Sequence, residues 1–116
     1  MTVNEAIARS SATHPSEAEK TRMITWLSEL EARISLEIFG KNALPIGPEN
    51  GERMLIVPTA YAEVYPLYLM MQRELLSGDE KGYEFYSVRF KESYKALWEH
   101  VLRTSKLSGA TYITTV

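Results

Sequence analysis

Among the 116 residues, the two best suited to proton transfer or metal ligation near neutral pH are His14 and His100. A working histidine site normally brings a second ligand or a base at short helical spacing, as in HExxH. His14 instead precedes a proline, and His100 has only Glu99 beside it, on a different helical face. Both read as solvated or packing residues. Carboxylate pairs occur as Glu17/Glu19 and Glu29/Glu31. Residues two apart on a helix do not face each other, so these pairs form a charged surface rather than an acid–base dyad. The segment Gly47-Pro48-Glu49-Asn50-Gly51 matches neither phosphate-binding glycine pattern, and nothing resembles a GxSxG nucleophile. Cysteine is absent, which removes disulfides, thiolate ligands and thiol nucleophiles. The expectation is a chain with no catalytic residue, no metal site and no cofactor. It is not expected to be an enzyme.

Tyrosine is the more informative residue type. Six of the seven tyrosines, Tyr61, Tyr65, Tyr68, Tyr83, Tyr86 and Tyr94, fall on two predicted helices. Helical spacing makes them core-lining residues whose hydroxyls reach the boundary, and some are candidate interface anchors. Stacking on nucleic-acid bases would need interleaved basic residues. Only Tyr86-Arg89-Lys91 and Tyr94-Lys95 approach that pattern, and Glu84 and Glu92 oppose the charge. With 13 basic against 15 acidic residues, the net charge of -2 supplies no surplus for phosphates. Binding to nucleic acid through its phosphates is therefore not expected.

The elements that carry these residues are mostly helical. Thr2-Val3-Asn4-Glu5 and Ser16-Glu17-Ala18-Glu19 both read as capping boxes. The first opens a short helix over 3–10, stopped before Pro15. The second opens a helix over 16–39, with Met23, Trp26, Leu27, Leu30, Ile34 and Ile38 on its buried face and Gly40 as its cap. Its solvated side is read as Glu19, Lys20, Arg22, Glu29, Glu31, Arg33 and Glu37. A third helix is predicted over 59–77, with Tyr61, Val64, Tyr65, Tyr68, Leu69, Leu75 and Leu76 on its apolar face. Pro66 is expected to interrupt and bend it. Gly78 ends that helix and Asp79 caps a fourth over 79–104, whose Tyr83, Tyr86, Phe90, Tyr94, Leu97 and Val101 form a near-heptad seam. The short link makes the last two helices antiparallel neighbours.

Two segments do not fit a helix. Residues 40–58 are rich in proline and glycine and contain Met54-Leu55-Ile56-Val57-Pro58, an extended run that needs a partner strand. The C-terminal tail or a neighbouring molecule is expected to supply it. Of the last six residues, Thr111, Tyr112, Ile113, Thr114, Thr115 and Val116, five are β-branched and one is tyrosine, which favours a strand-forming arm. Leu55, Ile56, Val57 and Thr111 through Val116 are therefore the candidate protein-contact residues.

A hydrophobic fraction of 45% and a charged fraction of 24% are ordinary for a globular domain. No apolar run approaches the ~18 residues of a membrane helix, and Met1 to Ser10 lacks the apolar centre of a signal peptide. The expectation is a soluble chain made in the cytoplasm, without membrane partners. Its fold class is mainly α: an elongated helical bundle of one short N-terminal and three longer helices. A helical domain over 1–104 carries the proline- and glycine-rich loop 40–58, and 105–116 is an extended, strand-prone arm.

Three stretches carry a further resemblance: Met1 to Ala6, Trp26 to Ile34, and Leu55 to Leu69. They resemble the head–tail connector proteins (adaptor or head-completion proteins) of long-tailed bacteriophages and prophages, over most of the chain up to about Trp98. Position 66 departs from the pattern, where an aliphatic residue is expected. The resemblance implies a structural virion protein made in the host cytoplasm and placed at the head–tail junction. It implies a ring beneath the portal, a dodecamer matching it, with DNA passing through the lumen. Its implied partners are the portal protein, a tail-side connector or tail completion protein, and further copies of itself. A mildly acidic lumen would let DNA slide, because a basic lining would hold the phosphates. The alternative is a small prophage-encoded regulatory or inhibitor protein that binds a single host partner.

Overall fold

The computed structural model describes residues 1–11 and 14–107, and the candidate contact residues Thr111 through Val116 lie outside them. The chain is mainly helical, with four α-helices and no strand among the described residues. Helix α1 spans Val3–Ser10, α2 Glu17–Glu37, α3 Val64–Ser77 and α4 Glu80–Leu107.

Local chemistry accounts for where the helices begin. The Thr2 hydroxyl accepts from the Glu5 amide, and the Glu5 carboxylate accepts from the Thr2 amide, both at 3.1 Å. Ser16 and Glu19 repeat the arrangement at the start of α2. Both capping boxes satisfy amides that a helix start leaves without partners. Asp79 accepts from the Gly82 amide at 3.0 Å and opens α4. Between α3 and α4 the chain reverses at Gly78, whose φ of 80° is left-handed. Its amide bonds back to the last turn of α3, as expected of a glycine cap.

The third helix differs from its expected form. Residues Thr59–Tyr61 make a single 3-10 turn, and α3 proper begins only at Val64. Pro66 therefore sits in the first turn, where an amide has no intrahelical acceptor to lose. The break lies before the proline, at Ala62 and Glu63, and Pro66 does not interrupt α3. Leu75 and Leu76, expected on the buried face, are 57% and 59% exposed at the hairpin tip beside Gly78.

The core joins all four helices. Val3, Ala6 and Ile7 of α1, Met23, Leu27, Leu30 and Ile34 of α2, Val64, Tyr65 and Leu69 of α3, and Phe90 and Leu97 of α4 are buried. Trp26 and the α4 tyrosines Tyr83, Tyr86 and Tyr94 pack against it from the boundary. No helix among the described residues is long and apolar enough to cross a membrane.

Replacing Gly78 by alanine forces a Cβ into the left-handed region, at a cost of about 1 kcal/mol. Urea unfolding should show the corresponding fall in midpoint, and an unchanged midpoint would contradict the Gly78 geometry.

Candidate functional site

The loop from Gly40 to Pro58 is held at several points. The Gly47 amide donates to Asn50 Oδ1 at 2.8 Å, next to a 3-10 turn over Pro48–Asn50. The Ile46 amide donates to Ser28 Oγ of α2 at 3.0 Å. The Arg53 guanidinium donates to the carbonyls of Pro45 and Leu44 at 3.0 and 2.6 Å, closing the loop on itself.

The extended run Met54 to Val57 does find a partner, and it is the chain's own N-terminus. Thr2 and Met54 form an antiparallel bridge. The Leu55 amide donates to the Met1 carbonyl at 3.0 Å, and the Val3 amide donates to the Arg53 carbonyl at 3.1 Å. The Asn4 amide donates to Gly51 at 2.9 Å. These loop carbonyls take up the first two free amides of α1, while Thr2 takes up the next two through its hydroxyl and carbonyl.

Below this seam lies a buried carboxylate. Glu31, expected on the solvated side of α2, is 3% exposed. Its Oε1 accepts from the Tyr65 hydroxyl at 2.5 Å, and its Oε2 accepts from the Ile56 amide at 2.7 Å. The Tyr65 oxygen in turn accepts from the Val57 amide at 3.1 Å. One carboxylate and one phenol thus satisfy two amides of a segment that has no sheet to join. The periodicity of α2 contains a trace of this. Ile24, Leu27, Ile34 and Ile38 share a stripe in which Glu31 is the charged member, flanked by buried Ser35.

Burial pushes the Glu31 carboxyl above its ordinary value of 4.5, against the Tyr65 and Ile56 hydrogen bonds and the nearby Arg53 charge. The Tyr65 hydroxyl is pushed far up, first by burial and then by the Glu31 charge. A second carboxylate–tyrosine pair ties α2 to α4. Tyr94 donates to Glu37 Oε1 at 2.6 Å, Arg33 donates to the same oxygen at 3.0 Å, and the guanidinium lies 5.1 Å from the Tyr94 ring centre. Burial and the Glu37 bond push the Tyr94 hydroxyl up to about 12. The same hydrogen bonds hold the Glu37 carboxyl below its ordinary value.

Among the candidate contact residues, Leu55 and Val57 are 5% and 2% exposed and Ile56 is half-buried. Their side chains belong to the chain's own core. The large apolar side chains this region presents outward are Leu44 and Met54, 78% and 64% exposed. Of the two histidines, His14 is exposed, and the His100 ring stacks on Tyr61 with centroids 4.5 Å apart. Among the described residues, no three His, Asp or Glu side chains are grouped to hold a metal. Comparisons with family models, with curated proteins and with solved structures give no match to this chain.

Two outcomes follow from the buried carboxylate. Tyr65→Phe leaves the Val57 amide and one Glu31 oxygen without partners, and is expected to cost about 3 kcal/mol in urea unfolding. The second concerns pH. Because the folded value of Glu31 is raised, the folded state keeps a proton above pH 4.5 that the unfolded state has released. Its contribution to stability therefore falls as pH rises through the window between 4.5 and the raised value, and levels off beyond it. Glu31→Gln should remove that decline, and an identical pH profile in the variant would contradict the assignment.

Proposed function

We propose that this chain is a non-catalytic structural subunit of the head–tail connector type, seated between a phage portal and the tail-side proteins. One observation carries the reading. The three stretches with the connector resemblance, 1–6, 26–34 and 55–69, are the ones tied together by the Met1–Leu55, Glu31–Ile56 and Glu31–Tyr65 hydrogen bonds. The resemblance therefore falls on one spatially continuous module rather than on scattered helical segments.

In this reading the elongated bundle is the ring protomer, and its loop edge and C-terminal arm reach the neighbours. Leu55 and Val57 hold the loop edge from inside. Leu44 and Met54 meet the portal or an adjacent subunit, since both project apolar side chains from a tethered loop. The arm, with Thr111 through Val116, adds a strand to a sheet edge on the portal or tail-side protein. The particle location, the ring and the passage of DNA belong to the same proposal.

The test is binding to a portal protein of a long-tailed phage, chosen by a portal gene found near the one for this chain. Purified portals mixed with it should gain a ring of added density in negative-stain images. A Leu44→Asp, Met54→Asp double variant should bind at least about tenfold more weakly with unchanged helical content. Portals that stay undecorated at high concentration would contradict the proposal.

A further inference from the structure

Helix α4 carries two heptad-spaced seams. The first contains Tyr83, Tyr86, Phe90, Tyr94, Leu97 and Val101, and faces the rest of the chain. The second runs beside it and contains Glu84, Val88, Lys91, Lys95, Trp98 and Leu102, at spacings of four, three, four, three and four. At about 100° per residue these six, with Glu80 one turn earlier, fall on one narrow stripe. All seven are exposed, including the apolar Val88 at 54%, Trp98 at 40% and Leu102 at 37%. A heptad seam left open to solvent is the pattern of a helix that packs on another helix.

The order of charges along the stripe identifies that other helix. Two carboxylates one turn apart, Glu80 and Glu84, precede its middle, and two lysines one turn apart, Lys91 and Lys95, follow it. Reversing the helix and laying it on itself sets Glu80 opposite Lys95 and Glu84 opposite Lys91, with the exposed Val88 beside the centre, while Ser87 is buried against the chain's own core. The pattern is its own complement about a point between residues 87 and 88. Within the chain, Lys95 has one long contact to Glu99 at 3.9 Å. Among the described residues, Glu80, Glu84 and Lys91 form no ion pair.

The same register carries Trp98 one turn beyond the partner's Glu80, past the start of α4 and onto the hairpin turn at Gly78 and Asp79. There Leu75, Gly78 and Tyr83, with the carboxylates Glu74, Asp79, Glu80 and Glu84, line an open depression of about 370 Å³ that has room for an indole ring.

We propose that α4 is a self-association surface, on which a second copy of this chain binds antiparallel about a two-fold axis near Ser87 and Val88. Each contact then occurs twice, giving four Glu–Lys pairs, a central Val88 contact and two Trp98 rings seated at the partner's hairpin tip. The ion pairs set direction and register, and the apolar contacts supply the burial. Such a contact is closed. It does not propagate into a ring, so it stands or falls apart from the connector reading.

Sedimentation of the full chain at about 100 μM should show dimers. Glu80→Lys with Glu84→Lys makes the stripe wholly basic, and Lys91→Glu with Lys95→Glu makes it wholly acidic. Each double variant alone should dimerise about a hundredfold more weakly, and a mixture of the two should restore a one-to-one pair. Because the chain has no cysteine, Val88→Cys should form a disulfide-linked dimer on oxidation, whereas Lys81→Cys should not. A monomeric wild-type chain would overturn the proposal, as would variants that dimerise unchanged or a mixture that stays apart. Rings or decorated portals formed by a chain that shows no dimer on its own would overturn the two-fold contact and leave the connector reading intact.

Discussion

A carboxylate taken out of water has to be met by donors, and in this chain the donors meeting Glu31 set the arrangement of everything around it. The Ile56 amide and the Tyr65 hydroxyl reach its two oxygens, and the Val57 amide reaches the same hydroxyl. The extended run after Arg53 has no sheet to satisfy its backbone. Without the Glu31–Tyr65 pair, the buried Val57 amide and the half-buried Ile56 amide would lack acceptors, at up to about 1–3 kcal/mol each. With the pair, the run lies across α2 and α3, and its outer edge is free to accept the N-terminus through Met1, Thr2 and Val3. Helix α1 is then docked by the loop carbonyls that cap it. Removing either partner would leave buried polar groups without hydrogen bonds, so the arrangement tolerates little rearrangement.

The consequence is a molecule with two regimes. The half built from α1, α2, the loop and the start of α3 is cross-linked by hydrogen bonds between residues far apart in the chain. The other half is the α3–α4 hairpin, held by aromatic packing such as Tyr68 on Phe90 and by the Tyr94–Glu37–Arg33 cluster. One side of α4 is thereby committed to the chain's own core. The adjacent stripe, with its ordered charges, is left outward along most of a helix ~40 Å long. That division suits a structural subunit, in which a fixed module presents surfaces to its neighbours.

The parts legible in the sequence were those whose causes are local. Thr2 with Glu5, Ser16 with Glu19, and Gly78 with Asp79 each act within four residues, and the helix ends they mark are where the structure has them. The place of Pro66 was not legible, because its effect depends on where α3 starts. That start is governed by the preceding 3-10 turn, and a proline in a first turn costs nothing. The burial of Glu31 is hidden for a related reason. Its partner Tyr65 lies 34 residues away, and helical period alone counts a charged residue as solvated. The stripe of Ile24, Leu27, Ile34 and Ile38 around it was the available signal. Leu55 and Val57 were recognised as apolar residues needing cover, but a single sequence does not say that the N-terminus and Tyr65 provide it.

Native-state hydrogen exchange at two backbone amides tests the central claim most directly. If Glu31 and Tyr65 anchor the extended run, the Ile56 and Val57 amides exchange only through global unfolding, as slowly as the core of α2. Exchange of those two amides at the rate of an open loop, while α2 stays protected, would contradict the account.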